Sequence, residues 1–585
     1  MDPSQNVAYC TNIPTEVWVR CWSLSSSRDL RRLVFVCRHF RDICQPLLFQ
    51  HQHFRAPDPE DIDRGNWMLT TRDLHRSSIR LKKLVASAHV SSVRSWQFHG
   101  NFEFPDLAET YPNVLNIGLV DKTYLNMVRI FAGTLGVHQN LRSLCLDYLT
   151  IDAPFRETLA SLGRLEELTF DSCDIISRRG PLLSLQNFTL ERSSSDHYHN
   201  HYCDEPLDIV SPDTLRVLNL DGCRDSRALL SVLANQSLTF NNLITLSVEV
   251  SDSAAKPFLA FLEHCPQLAR LEIYRSLLSG PIQDRVSPTA IPLLRSFKGP
   301  RLLAGMFIFD RPVAVVELSD DSDFSAENKA AEKDIIRDLA DIAHSSVAVH
   351  SLSMAAPMQT ALKILTAIAT HFPEMQELAL GLREPPPAPK PWVPHNNIDD
   401  DTDAASSVAG SEVEVDEGTL ELSENESLES ISSFGYSPII LVSDDEEENA
   451  PAIPEVLVPG HMYTTSGRVF PPAATPPAST LADPESFSSL IDCICAEHAS
   501  LPASLVSLRF TQPSLWHALR QASSLTLADQ HRAVLAFERQ LPALRELAFG
   551  VDSSVWTRYR DTWTQKRTGT KIASLGSGGD QTKAN

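Results

Sequence analysis

A six-residue template, apolar-x-x-apolar-x-apolar, recurs along most of this 585-residue chain and constrains its fold more than any other feature. Clear copies start at Leu141 (LRSLCL), Leu165 (LEELTF), Leu185 (LQNFTL), Leu215 (LRVLNL), Leu243 (LITLSV), Leu268 (LARLEI), Met375 (MQELAL), Leu505 (LVSLRF) and Leu544 (LRELAF). Degenerate copies start at Val93, Val114, Val313 and Val349. The closing alternation predicts a short strand with one buried side. Segments of helical period lie between copies, and several meet a proline just ahead of the next strand, as in CPQLARLEI and FPEMQELAL. Proline lacks the amide proton that a continuing helix needs, so each unit reads as one helix and one strand. A single unit cannot bury its own apolar face, whereas a stack of units can. The expected fold class is therefore α/β, built by repetition rather than from several independent domains.

The template resembles the strand segment of leucine-rich repeats, here of irregular length. Two copies run on as LTFDSCDI and LNLDGCRD, placing Cys173 and Cys223 two residues beyond the Asp that follows the strand. The resemblance implies that this position holds a Cys or Asn bonded to loop backbone. On this reading residues 61–382 are an irregular leucine-rich-repeat solenoid and residues 481–560 are its C-terminal repeats, with a flexible, glycine-containing tail at 561–585.

The interruption at 383–480 has a different composition, proline-rich and then acidic and serine-rich. Between Asp399 and Glu448 stand 17 Asp and Glu without a Lys or Arg, which accounts for most of the net charge of −23. Such a stretch buries too little apolar surface to order itself, so a disordered insert is expected. Within it, Ile439, Ile440, Leu441 and Val442 precede Ser443 and five acids. This resembles a SUMO-interacting motif, in which a short strand adds to the modifier's sheet edge; a chance apolar run is the alternative.

The remainder of the chain carries −23 + 17 = −6, without the basic excess expected of a nucleic-acid-binding protein. No apolar run reaches the length of a membrane span, and MDPSQNVAYC lacks the layout of a secretion signal. The 11 cysteines are scattered singly, which suits a reducing compartment. A cytoplasmic or nuclear protein, with no nucleic-acid and no membrane partner, is expected.

The segment VFVCRHFRDICQPLL, from Val34, is too apolar for water and opens the chain before any core exists for it to join. Its apolar residues step by three and four, the spacing of a helix face. Three sub-motifs stand in order: IPTEV (Ile13–Val17), RDLRRL (Arg28–Leu33) and VCRHFRDI (Val36–Ile43). Together they resemble the F-box, with Cys21 and Trp22 where that family prefers Ile-Phe. Residues 1–60 are assigned to it, and QPLLFQHQHF is similar to the fungal variety. The resemblance implies docking of a Skp-family adaptor, and through it a cullin-RING complex, on a surface formed or supported by Ile13, Pro14, Val17, Leu24, Leu30, Leu33, Val36, Cys37 and Phe40. Alternatively, the stripe caps the solenoid.

The position after the last strand residue is Asp147, Asp171, Glu191, Asp221 and Glu249 in five consecutive copies. Adjacent strands lie ~4.8 Å apart, so these carboxylates should form a like-charged column. Either it selects a basic segment of a protein substrate, or the acids splay into water and aid the following turn. His197, His199, His201 and Cys203 alternate along DHYHNHYCD, but a solvated loop accounts for them and no metal is assigned. No phosphate-binding loop, nucleophile elbow or zinc-helix motif is present. The chain is expected to be non-catalytic and without a cofactor: the substrate receptor of an SCF-type ubiquitin ligase. The competing expectation is a leucine-rich-repeat scaffold independent of the ligase.

Overall fold

The structure, a computed structural model, describes residues 13–55, 67–100, 117–191, 206–221, 224–235, 238–277, 286–287, 289–319, 328–383, 486–497, 500–511, 526–549, 554–559 and 562–567. Among the described residues sixteen strands form one sheet whose order is the order along the chain. They are β1 (His51–Arg55), β2 (Ser95–His99), β3 (Ser143–Asp147), β4 (Glu167–Asp171), β5 (Asn187–Leu190), β6 (Val217–Leu220), β7 (Thr245–Ser251) and β8 (Arg270–Leu277). These are followed by β9 (Ser296–Pro300), β10 (Val315–Ser319), β11 (Ser351–Pro357), β12 (Glu377–Arg383), β13 (Ser507–Thr511), β14 (Glu546–Phe549), β15 (Ser554–Tyr559) and β16 (Thr562–Arg567). The first fourteen pair in parallel and the last two turn back antiparallel.

The template explains the strands. In β3 and β4, Leu144, Leu146, Leu168 and Phe170 are buried while the intervening side chains reach the other face. They share one core with helices that follow the strands, α4 (Trp67–Val85), α5 (Ile117–Leu135) and α6 (Ala153–Ser161) among them. Fully burying a leucine is worth about 1.5–3 kcal/mol, and the stack repeats that gain at every level.

Several elements depart from the sequence reading. The copy that starts at Val114 reaches the described residues only at 117–119, and these belong to α5, whose Val120, Tyr124, Met127 and Phe131 are all buried. Conversely, β9 lacks an obvious template because Gly299 occupies an apolar position. A side chain there would lie 3.0 Å from Ile273 Cβ and 3.2 Å from the Phe297 ring, so bulk on the neighbouring residues excludes it.

No helix links β4 to β5 among the described residues, and a buried arginine does the bracing instead. Arg156 of α6 donates to the carbonyls of Ser177 (2.9 Å), Pro181 and Asp208. Gly180 leaves room for it, since a Cβ there would meet Arg156 Nε at 3.1 Å. At the far end, Trp556 of β15 and Trp563 of β16 are buried, and Trp556 Nε1 donates to Gln530 at 3.2 Å. Thr562–Arg567 thus departs from the flexible tail expected from residue 561 onward: burial of Trp563 and pairing with β15 hold it.

Candidate functional site

Residues 13–48 fold as three short helices, α1 (Thr15–Trp22), α2 (Ser27–Leu33) and α3 (Arg38–Leu48), with a core separate from that of the sheet. Trp22 is buried in that core, 4.5 Å from the Phe40 ring centroid and 4.9 Å from that of Trp18. Ser26 caps α2 and the Cys37 sulfur caps α3, accepting from the Phe40 amide at 3.4 Å. The Cys of the Val-Cys-Arg sub-motif therefore has a local task as a helix cap.

That small core does not use the whole apolar stripe. Leu30 is buried, and Leu33, Cys37 and Phe40 are half-buried and support the unit from within. Ile13, Pro14, Val17, Leu24 and Val36 are exposed, Leu24 at 87 % and Val36 at 63 %. Phe35, which the sub-motifs did not single out, is exposed as well, at 64 %. These side chains stand at the start of α1 and in the turns that join the three helices. So many large apolar groups exposed together in a unit this small exceed the scattered apolar residues of an ordinary surface. The unit joins the sheet through β1, while Phe49 stacks on His89 at 4.9 Å.

The acidic positions come together at the strand ends, on the face of the sheet opposite the core residues. Asp147 and Asp171 are register partners, and the pairs Phe170–Leu190 and Leu190–Leu220 place Glu191 and Asp221 next in line. Tyr148 and Ser172, just beyond the two aspartates, adopt left-handed backbone, with φ of 53° and 50°. The pair Leu220–Val248 sets Glu249 beside Asp221 as the last of the row, and on its other side the ladder slips so that Glu249 registers with Arg275.

The row is not uniform. Asp147 is buried; its carboxylate meets His99 Nδ1 at 2.9 Å and accepts from Cys145 Sγ at 3.1 Å. Burial alone would raise its pKa, but the bonds from His99 and Cys145 outweigh it and hold the carboxyl below its ordinary range. The carboxylate sits between thiol and imidazole, so His99 is not placed to take the thiol proton, and burial with the adjacent carboxylate pushes the Cys145 thiol upward. Asp171 and Glu191 are raised, first by burial and then by neighbouring carboxylates, with a Ser172 bond opposing this at Asp171. Among the described residues Asp171, Glu191 and Asp221 form no ion pair, whereas Glu272 and Glu317 farther along share Lys298, at 2.7 and 3.5 Å. Floor residues Thr169, Thr189 and Asn219 are short and polar, and Asn219 donates to Thr189 at 3.1 Å.

These opposite shifts predict opposite stability effects. A raised carboxyl pKa means that the folded state holds its proton longer than the unfolded state, so stability falls as pH rises through the interval above the ordinary value. Asp171→Asn and Glu191→Gln should each stabilise the protein at neutral pH by a few tenths to ~1 kcal/mol, the size of a like-charge cross-strand cost. The gain should shrink toward the ordinary carboxylate pKa. Asp147, held low, contributes stability that is present at neutral pH and lost on acidification through its folded pKa, so Asp147→Asn should cost ~1–2 kcal/mol. Urea titrations at several pH values check both signs.

Cys173 is buried and its thiol donates to the Leu146 carbonyl at 3.1 Å, a backbone acceptor within strand β3 rather than in a loop. Cys223, the His197–Cys203 run and Ile439, Ile440, Leu441 and Val442 lie outside the described residues. Among the described residues no His, Cys, Asp or Glu group is arranged to hold a metal ion, and no helix is long and apolar enough to cross a membrane. Comparison of the chain with protein-family models and with curated proteins finds no match in either set.

Proposed function

We propose that this chain is the substrate receptor of an SCF-type ubiquitin ligase, with residues 13–48 acting as an F-box and the sheet-and-helix stack as a leucine-rich-repeat solenoid. The observation that carries this reading is the exposed set Ile13, Val17, Leu24, Phe35 and Val36 on a unit that already has a core of its own. A segment that merely capped the stack would turn those side chains toward it. In the proposed mechanism one end docks the Skp-family adaptor and the cullin-RING complex, and the acidic row holds a basic segment of the target. Transfer is then accelerated by proximity, with no bond-making groups supplied by this chain.

Co-purification of the full chain with a Skp-family adaptor and cullin tests the reading. Leu24→Asp combined with Val36→Asp alters two exposed side chains and should leave circular dichroism unchanged while reducing capture at least tenfold, about 1.4 kcal/mol or more. Absence of capture by the wild type, or equal capture by the variant, would overturn it.

A further inference from the structure

The net charge of −23 conceals a basic surface. In α4 the buried residues Leu74, Leu81 and Leu84 turn inward, and Arg72, Arg76, Ile79 and Lys83 follow one another at i, i+4, i+7 and i+11 on the exposed side. Arg80 and Lys82 flank that line and are exposed too. The neighbouring α5 packs beside α4 and repeats the arrangement: Val120, Tyr124, Met127 and Phe131 are buried, while Lys122 and Arg129 are exposed. Asp73 is the one acid described as exposed on either helix, and it is spent on Arg76 at 3.2 Å. Exposed apolar side chains, Ile79 at 40 %, Leu119 at 43 % and Leu125 at 47 %, stand on the same two helices.

We infer that the outer side of α4 and α5 is a docking surface for a bilayer rich in anionic headgroups. Two helices lying side by side present cations and isolated aliphatic side chains together. A bilayer interface accommodates both, the headgroups meeting Arg and Lys and the acyl boundary meeting Ile and Leu. A nucleic-acid backbone would use the cations but leave Ile79, Leu119 and Leu125 in water, and among the described side chains of these helices Tyr124 and Phe131 are buried and offer no stacking face. The surface lies on the helix side of the stack, away from the acidic row, so the two need not compete. The expectation of no membrane partner rested on the length of apolar runs, which speaks to spanning and not to adsorption.

Flotation of the full chain with phosphatidylcholine vesicles, with and without about a third phosphatidylserine, tests this. The expected result is flotation with the anionic vesicles only, released by high salt as screening shortens the reach of each charge. Arg76→Glu, Lys83→Glu and Arg129→Glu together should reduce the bound fraction at least tenfold with unchanged circular dichroism. Ile79→Ser should lower the bound fraction at low salt without abolishing it. No flotation of the wild type, flotation that survives the triple variant, or variant-sensitive binding to duplex DNA in place of vesicles would each overturn the inference.

Discussion

Arg311→Met should destabilise the protein by about 3 kcal/mol, roughly a hundredfold in its unfolding equilibrium. Arg311 is 2 % exposed, and its guanidinium donates to the carbonyls of Ser287 (2.8 Å), Ala290 (3.2 Å) and Met306 (3.1 Å). The first two belong to the irregular stretch before β9, the third to the helix Arg301–Ile308 that follows it. One side chain thus holds together a loop and a helix end that share no ladder. Methionine fills a similar volume but donates nothing, and each buried carbonyl left unsatisfied costs about 1–3 kcal/mol. Removing a desolvated cation, whose pKa burial lowers, offsets part of that sum. Arg311→Lys should recover less than half, because a single ammonium cannot span donors set in a planar fork. Urea denaturation measures the total, and hydrogen exchange should quicken first in β9 and β10. A change below about 1 kcal/mol would show that the carbonyls find other partners.

Gly100→Ala is the second large effect. The Gly100 amide donates to the Asp147 carbonyl at 2.7 Å, drawing the chain so close that a Cβ would fall 2.5 Å from the Tyr148 carbonyl and 2.8 Å from that of Asp147. Both obstacles are backbone and cannot rotate away, so the strand ends must part, at a cost of ~2–3 kcal/mol. Parting them also draws His99 from Asp147, since Gly100 follows His99 directly. The melting temperature should drop, and the Asp147 carboxyl pKa, followed by NMR, should move up toward the ordinary carboxylate range. A stability loss with an unmoved Asp147 would mean that the strain is absorbed elsewhere.

Most strands were legible because alternation is a local signal: the leucines of LRSLCL and LEELTF state which side they bury. What escaped depended on distant neighbours. At Gly299 the missing leucine is compensated by Ile273 and Phe297 from the same and an adjacent strand, which no short window shows. At 117–119, the described end of the copy that starts at Val114, the apolar spacing suits a strand or a helix, and these residues open the helix whose Tyr124 and Phe131 are buried. The acidic row was visible as a fixed offset in five copies, yet the division of labour within it was not. His99 is 48 residues from Asp147 in the chain, and only the ladder brings it near. The basic side of α4 and α5 was lost for another reason: a net charge averages over surfaces that face different ways.

Because each strand bonds only to the strands before and after it in the chain, length can be added at any junction at little thermodynamic expense. Between β12 and β13 the sequence wanders through residues 384–506, yet Glu377 still registers with Ser507 as closely as neighbouring strands do elsewhere. Closing a longer loop costs only the logarithm of its length, about 0.6 kcal/mol per doubling. An architecture of this kind is open to insertion: a new segment acquired at one junction leaves every other pairing untouched, so the chain can collect appendages while its frame stays the same.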